Sequence, residues 1–186
     1  MEITEKFYTL SRDEWREWLN ENSAKKREIW LSVSLRGDQK GVSYLDAVEE
    51  ALCFGWIDST GKKDDAGMWQ RFSPRRKRSK WTELNRERCR RLEGLGLMTD
   101  AGRAVLPESE FVIDDDIMQL LESDEQVWRN FKGLPSLYVR VRIDNIQSQR
   151  KRNADIFRKR LEKFMDYTRR GVMYGEWNDG GRLIQW

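Results

Sequence analysis

Between Ala47 and Trp81 the hydrophobic period of the chain changes from that of a helix to that of a strand. Tyr44, Ala47, Val48, Ala51 and Leu52 keep the spacing of one buried helical face, with Ser43 and Asp46 as its N-terminal cap and Gly55 as its stop. Two alternating runs follow directly, Trp56–Thr60 and Met68–Phe72, joined by the glycine- and charge-rich Gly61–Gly67, and Pro74 closes the second. A helix delivered straight into a hairpin restricts the fold to an α+β arrangement, in which a small antiparallel sheet is packed with helices and followed by a helical C-terminal segment.

Upstream, Ser11-Arg12-Asp13-Glu14 reads as a capping box, with Leu10 stapled against Trp15 and an apolar stripe continuing through Trp18 and Leu19. Ile29–Leu35 alternates, placing Leu31, Val33 and Leu35 on one side and Ser32 and Ser34 on the other, which predicts a strand with one face on a core. Arg36–Gly41 then turns. Downstream, a charged helix runs from Trp81 to Gly94, and Gly96, Gly102 and Pro107 break the chain into short pieces. Asp116–Leu121 and Glu125–Phe131 predict short helices, Leu134-Pro135 restarts the chain, and Asn153–Arg170 carries Phe157, Leu161, Phe164 and Met165 on one stripe before Gly171. The expected organisation is a core domain over 1–107, a helical segment over 108–171 packed on that core, and a glycine-rich tail over 172–186 that is a docked hairpin or a flexible end.

A charged fraction of 36% would suit a disordered chain, but nine tryptophans and seven phenylalanines supply large apolar surfaces that only a folded core can hide. The net charge of +3 exerts no strong global pull on nucleic acid, although it is unevenly spread. Nine basic residues face two acidic ones between Arg75 and Arg91, while acids gather at Glu108–Asp116 and Glu122–Glu125. Cys53 and Cys89 lack the spacing of a zinc site or a disulfide framework, which points to packing roles and a cytoplasmic setting. No signal pattern or long apolar run occurs, so no membrane insertion is expected. Histidine is absent from the sequence, which excludes histidine acid–base chemistry, Cys–His pairs and histidine metal sites. Adjacent acids such as Asp64-Asp65 and Asp114-Asp115-Asp116 point apart in a strand or loop, and no metal or other cofactor is expected.

If the two runs pair with Asp58 opposite Arg71, then Trp56, Asp58, Thr60, Trp69, Arg71 and Ser73 share one face. A carboxylate and a guanidinium meeting between indoles either lock the hairpin or, with Lys62, receive a phosphate or carboxylate group. The run Arg75, Arg76, Lys77, Arg78, Lys80 and Trp81 opens a helix, whose free amides also favour anions. Cations interleaved with a ring equally suit single-stranded nucleic acid. The basic stretches Arg150-Lys151-Arg152 and Arg158-Lys159-Arg160 read as the solvated face of a helix.

The blocks AVEEALCFGWIDS at Ala47–Ser59, RFSPR at Arg71–Arg75 and SKWTELN at Ser79–Asn85 resemble the YdeI/OmpD-associated, or OmdA-like, bacteriocin-protection family. Proteins of that family share an EALCFGWIDS-type block and an RF[ST]PR-type block at similar separation, and the resemblance spans roughly Trp15 to Gly102. Leu134-Pro135-Ser136-Leu137-Tyr138 and the basic helix after it resemble the family's C-terminal helices, while departing from the usual alanine-, lysine- and threonine-containing pattern and adding a glycine-rich tail. The resemblance implies bacterial origin and a link to envelope stress or resistance to bacteriocins, and it transfers no catalytic residue. The expected function is therefore that of a stress-response protein binding a small anionic ligand through Trp56, Asp58, Lys62, Arg71, Arg75, Arg76, Arg78, Trp81 and Asn85. The alternatives are an enzyme acting on a phosphate-bearing small molecule, with Asp58 as base or orienter, and a nucleic-acid-binding module using the 75–81 run.

Overall fold

A computed structural model describes residues 2–35, 40–76 and 79–186. In chain order the elements are β1 (Lys6–Phe7), α1 (Arg12–Asn22), β2 (Ile29–Ser34), β3 (Val42–Ser43), α2 (Tyr44–Cys53), β4 (Trp56–Asp64), β5 (Gly67–Pro74), α3 (Glu83–Gly94), α4 (Asp100–Arg103), α5 (Asp115–Glu122), α6 (Glu125–Phe131), α7 (Ser136–Gln147) and α8 (Ala154–Arg169). The protein is α+β, and two compact units divide it: residues 1–80 with 88–106, and residues 81–87 with 107–186.

The sheet of the first unit runs β1-β2-β5-β4, with β3 also on β2. It is mixed rather than antiparallel, because β1 and β3 lie parallel to β2 while β2–β5 and β5–β4 are antiparallel. A strand that returns through a helix, as β1 does through α1, arrives parallel. Two-residue strands such as β1 and β3 carry too little alternation for the sequence to announce them. The whole of β2 is buried, including the serines expected to face outward. Burial of Ser32 is satisfied by Thr9, whose N–H donates to Ser32 Oγ and whose carbonyl accepts from it, both at 3.1 Å.

Helices α1 and α2 hold one face of this sheet. Ser11 caps α1 by accepting from the Glu14 N–H, but the reciprocal half of the capping box is absent: the Ser11 N–H goes to Thr9 Oγ1, and the Glu14 carboxylate takes the Thr9 hydroxyl. The staple also fails to form. Leu10 is 57% exposed, while Trp15 stacks on Trp18 at 5.3 Å and lies 5.4 Å from Phe72 of the sheet. A sheet aromatic offers the indole more apolar contact than a turn leucine does. Gly55, at φ 73°, ends α2 in the left-handed conformation. α4, which the sequence did not announce, is anchored to that end by Thr99, whose N–H and hydroxyl both donate to the Cys53 carbonyl.

The second unit packs α5 to α8 around Ile117, Leu121, Val127, Tyr138, Ile143, Ile146 and Phe164. Asp124 and Asn153 cap α6 and α8 through their side-chain oxygens. The tail is docked, and by turns rather than a hairpin: Leu183 is buried with Leu137 and Val141, and Trp177 meets Tyr138 edge-on at 5.7 Å. Among the described residues, no helix is long and apolar enough to cross a membrane.

Candidate functional site

The hairpin does form, but one step away from the expected register: Asp58 lies opposite Phe72 and Ile57 opposite Ser73. A slip of one residue turns a side chain to the other face of a sheet. Asp58 therefore points to the helix-covered side with Trp56, and Arg71 points away from it. The Asp58–Arg71 pair expected from the sequence is not made.

A bulge between Asp58 and Gly61 then adds one residue to β4, so that Gly61 meets Gln70 and Lys62 meets Trp69. The bulge reverses the alternation and brings Lys62 onto the face of Arg71. Across that outer face run two rows, Lys6–Trp30–Arg71 and Ser32–Trp69–Lys62. Lys6 Nζ lies 4.5 Å over the Trp69 ring and 2.7 Å from Asp64, which also accepts the Trp69 indole N–H at 2.9 Å. Lys6 first, then Trp69, holds the Asp64 carboxyl down at about 2. Arg71 donates through Nε and Nη2 to one oxygen of Glu28 and through Nη1 to Ser59 at the bulge. The Thr4 hydroxyl and then Arg71 lower the Glu28 pKa. Lys62 Nζ lies 5.8 Å over Trp30, whose Nε1 is buried with no hydrogen-bond acceptor.

On the opposite face Asp58 accepts the Tyr44 hydroxyl at 2.7 Å. Its basic neighbour is Arg75, which is 6% exposed and donates to the Lys80 carbonyl at 3.2 Å. Burial lowers the Arg75 pKa, and the fields of Cys89 and Asp58 offset part of that. Trp56 belongs to the core, 1% exposed, with its indole N–H on the Ser23 carbonyl and its ring edge-on to Trp18. Arg76 is exposed, and its carbonyl accepts the Ser79 N–H. Arg78 lies outside the described residues. Trp81 and Asn85 fall in the second unit, where the Asn85 N–H bonds Thr82 Oγ1 at the start of α3.

The sequence reading missed a buried ionic cluster in the first unit. Glu49 and Glu50, at 0% and 2% exposure, project from the otherwise apolar face of α2. Arg12 spans Asp46, Glu49 and Glu50 at 2.8, 3.1 and 2.6 Å. Arg16 reaches Glu50 at 2.6 Å and the Leu97 carbonyl at 2.8 Å, and Arg91 of α3 reaches Glu49 at 3.0 Å. The visible signal was a pair of adjacent acids inside an apolar stripe, opposite arginines spaced i, i+4 on α1. Cys53 and Cys89 are buried nearby as free thiols, and burial before all else pushes them up to about 11 and about 12, so both stay protonated.

Two family models match the chain. A domain of unknown function, DUF8412, matches residues 7–105. The Bacteriocin-protection, YdeI or OmpD-Associated family, OmdA, matches residues 110–171. The suspected family is thus present, but its model falls on the helical C-terminal part, whereas the blocks that carried the resemblance lie within the other match. No curated protein and no solved structure matches the chain.

Proposed function

The chain belongs to the DUF8412 family and carries a YdeI/OmpD-associated segment, and from that premise we propose a bacterial stress- or bacteriocin-resistance-type protein that binds a small anion in the cytoplasm, at the outer face of its sheet. The observation that carries this reading is the Trp30 indole N–H, buried and without an acceptor beneath the Lys62 ammonium. A buried donor left unmade costs about 1–3 kcal/mol, and an oxyanion seated between the donor and the ammonium recovers it. Arg71, held in place by Glu28, adds a second cation to the same face. The ligand class is phosphate- or carboxylate-bearing. Asp58 takes no part, since it faces the helices and serves Tyr44 and Arg75.

Thermal shift and isothermal titration with inorganic phosphate and citrate test the reading. A ligand at a hundredfold excess over Kd stabilises the native state by about 2.7 kcal/mol. Lys62→Gln is expected to weaken binding at least tenfold while the melting temperature without ligand stays the same. Binding of neither anion, or undiminished binding by Lys62→Gln, would remove the outer face as the site.

A further inference from the structure

The second unit pairs its arginines with carboxylates as a rule. Arg150 holds Asp114 and Asp116, Arg158 holds Asp155, Arg169 holds Asp124, and Arg170 holds Asp166. Three cations that make no such pair, Arg142, Arg160 and Lys163, sit together. Arg142 of α7 lies 4.9 Å over the Tyr174 ring, and Lys163 of α8 lies 4.7 Å from the same ring and 5.4 Å from that of Tyr167. Arg160, one turn before Lys163, is close enough for its field, with that of Arg142, to reach the Tyr174 phenol. Among the described residues none of the three makes an ion pair: Arg142 Nη2 donates to the Glu176 carbonyl, Arg160 Nη1 to the Asn145 carbonyl, and Lys163 has only the two rings.

Three like charges around one tyrosine repel one another, and ring faces or carbonyl dipoles compensate them only in part. Arg142 Nε is moreover buried with no acceptor. The tail is shaped to this side chain: Gly175, at φ 66°, passes Arg142 so closely that a Cβ there would stand 2.8 Å from Nη2. Tyr167 and Tyr174, with ring centroids 4.7 Å apart, wall the patch. We propose that Arg142, Arg160 and Lys163 form a binding site for a phosphate group, with Tyr167 and Tyr174 beside it. Phosphate fits better than a single carboxylate because a dianion balances more of the three charges, and its several oxygens can meet planar guanidinium donors and an ammonium at once. The site is separate from the sheet face and does not rest on it.

The test uses the full chain carrying Lys62→Gln, which removes the sheet-face anion site, titrated calorimetrically at low salt with inorganic phosphate and with adenosine 5′-monophosphate. Phosphate binding is expected to persist in Lys62→Gln, to survive the further change Lys163→Arg, and to weaken at least tenfold when Arg160→Gln and Lys163→Gln are added. Lys163 is exposed and Arg160 half-buried against the Asn145 carbonyl, and Lys163→Arg keeps the charge at the exposed position. Equal affinity for the two ligands identifies the bare anion as what is recognised. Tighter binding of the nucleotide identifies a phosphorylated small molecule whose base meets the tyrosines. Absence of phosphate binding by Lys62→Gln, or affinity unchanged by the double glutamine substitution, overturns the proposal.

Discussion

Among single residues, those on α2 carry the most weight. Glu50 is nearly inaccessible and bonds Arg12 and Arg16; removing it deprives Arg16 of its carboxylate, while Arg12 keeps Asp46 and Glu49 and both guanidiniums stay about a third exposed. Losing charge-assisted hydrogen bonds of this half-buried kind costs about 1.5–3 kcal/mol, more than an exposed pair contributes. Glu50→Ala is accordingly expected to lower the urea midpoint by that equivalent with an unchanged slope, and a loss below about 1 kcal/mol would mean that the cluster is well hydrated. Asp58 is the contrasting case. Its position in the signature block suggested chemistry, but its Tyr44 and Arg75 neighbours make it part of the junction between the sheet and α2.

At the level of elements, close approach decides which positions tolerate a side chain. Gly102 in α4 lies against the end of α2, and a Cβ there would stand 2.2 Å from the Cys53 carbonyl oxygen. Backbone on both sides cannot yield as a flexible side chain would, so α4 must lift away and the two bonds from Thr99 to Cys53 are strained. Gly102→Ala is expected to cost at least about 1–3 kcal/mol by chemical denaturation, although alanine is the better helix former. A neutral or stabilising result would show that α4 shifts freely. The β4 bulge is the other decisive element, because one extra residue transfers Lys62 from the helix-covered face to the outer one.

For the whole molecule, the division into units does not follow a single cut in the chain. Residues 81–87 group with 107–186, joined by Leu84 packing on Leu137, Val141 and Leu183 and by ion pairs. Glu83 is 2% exposed and forms ion pairs with Arg86 at 3.1 Å and Arg140 at 3.2 Å, and its N–H donates to Asp144, while Arg140 also holds Glu87 at 2.6 Å. A fragment beginning at Pro107 keeps Arg140 but loses both of its carboxylates. Compared with a fragment comprising 81–186, it is expected to melt at least about 5 °C lower, since about 1 kcal/mol moves a domain of this size by roughly that much. Equal melting temperatures would show that the segment adds nothing to the unit.

The sequence by itself determined what is local. The Ser11 cap, the existence of β4 and β5, the Glu125–Phe131 helix and the α8 stripe ending at Gly171 all depend on hydrogen bonds and periodicities spanning a few residues, and those can be read along the chain. The suspected family did find its match, but on the C-terminal helices rather than on the signature blocks, which lie within the DUF8412 match. Tertiary structure decided what depends on partners distant in sequence: the parallel edges beside β2, the burial of Ser32 by Thr9, the arginines that neutralise Glu49 and Glu50, and the facing of Asp58 against Arg71. Register is the clearest instance. A period of two is unchanged by sliding one strand past the other by a residue, so alternation predicts a hairpin but is silent on which side chains share a face, and that choice rests on tertiary contacts such as Trp15 on Phe72, Trp18 on Trp56 and Tyr44 on Asp58.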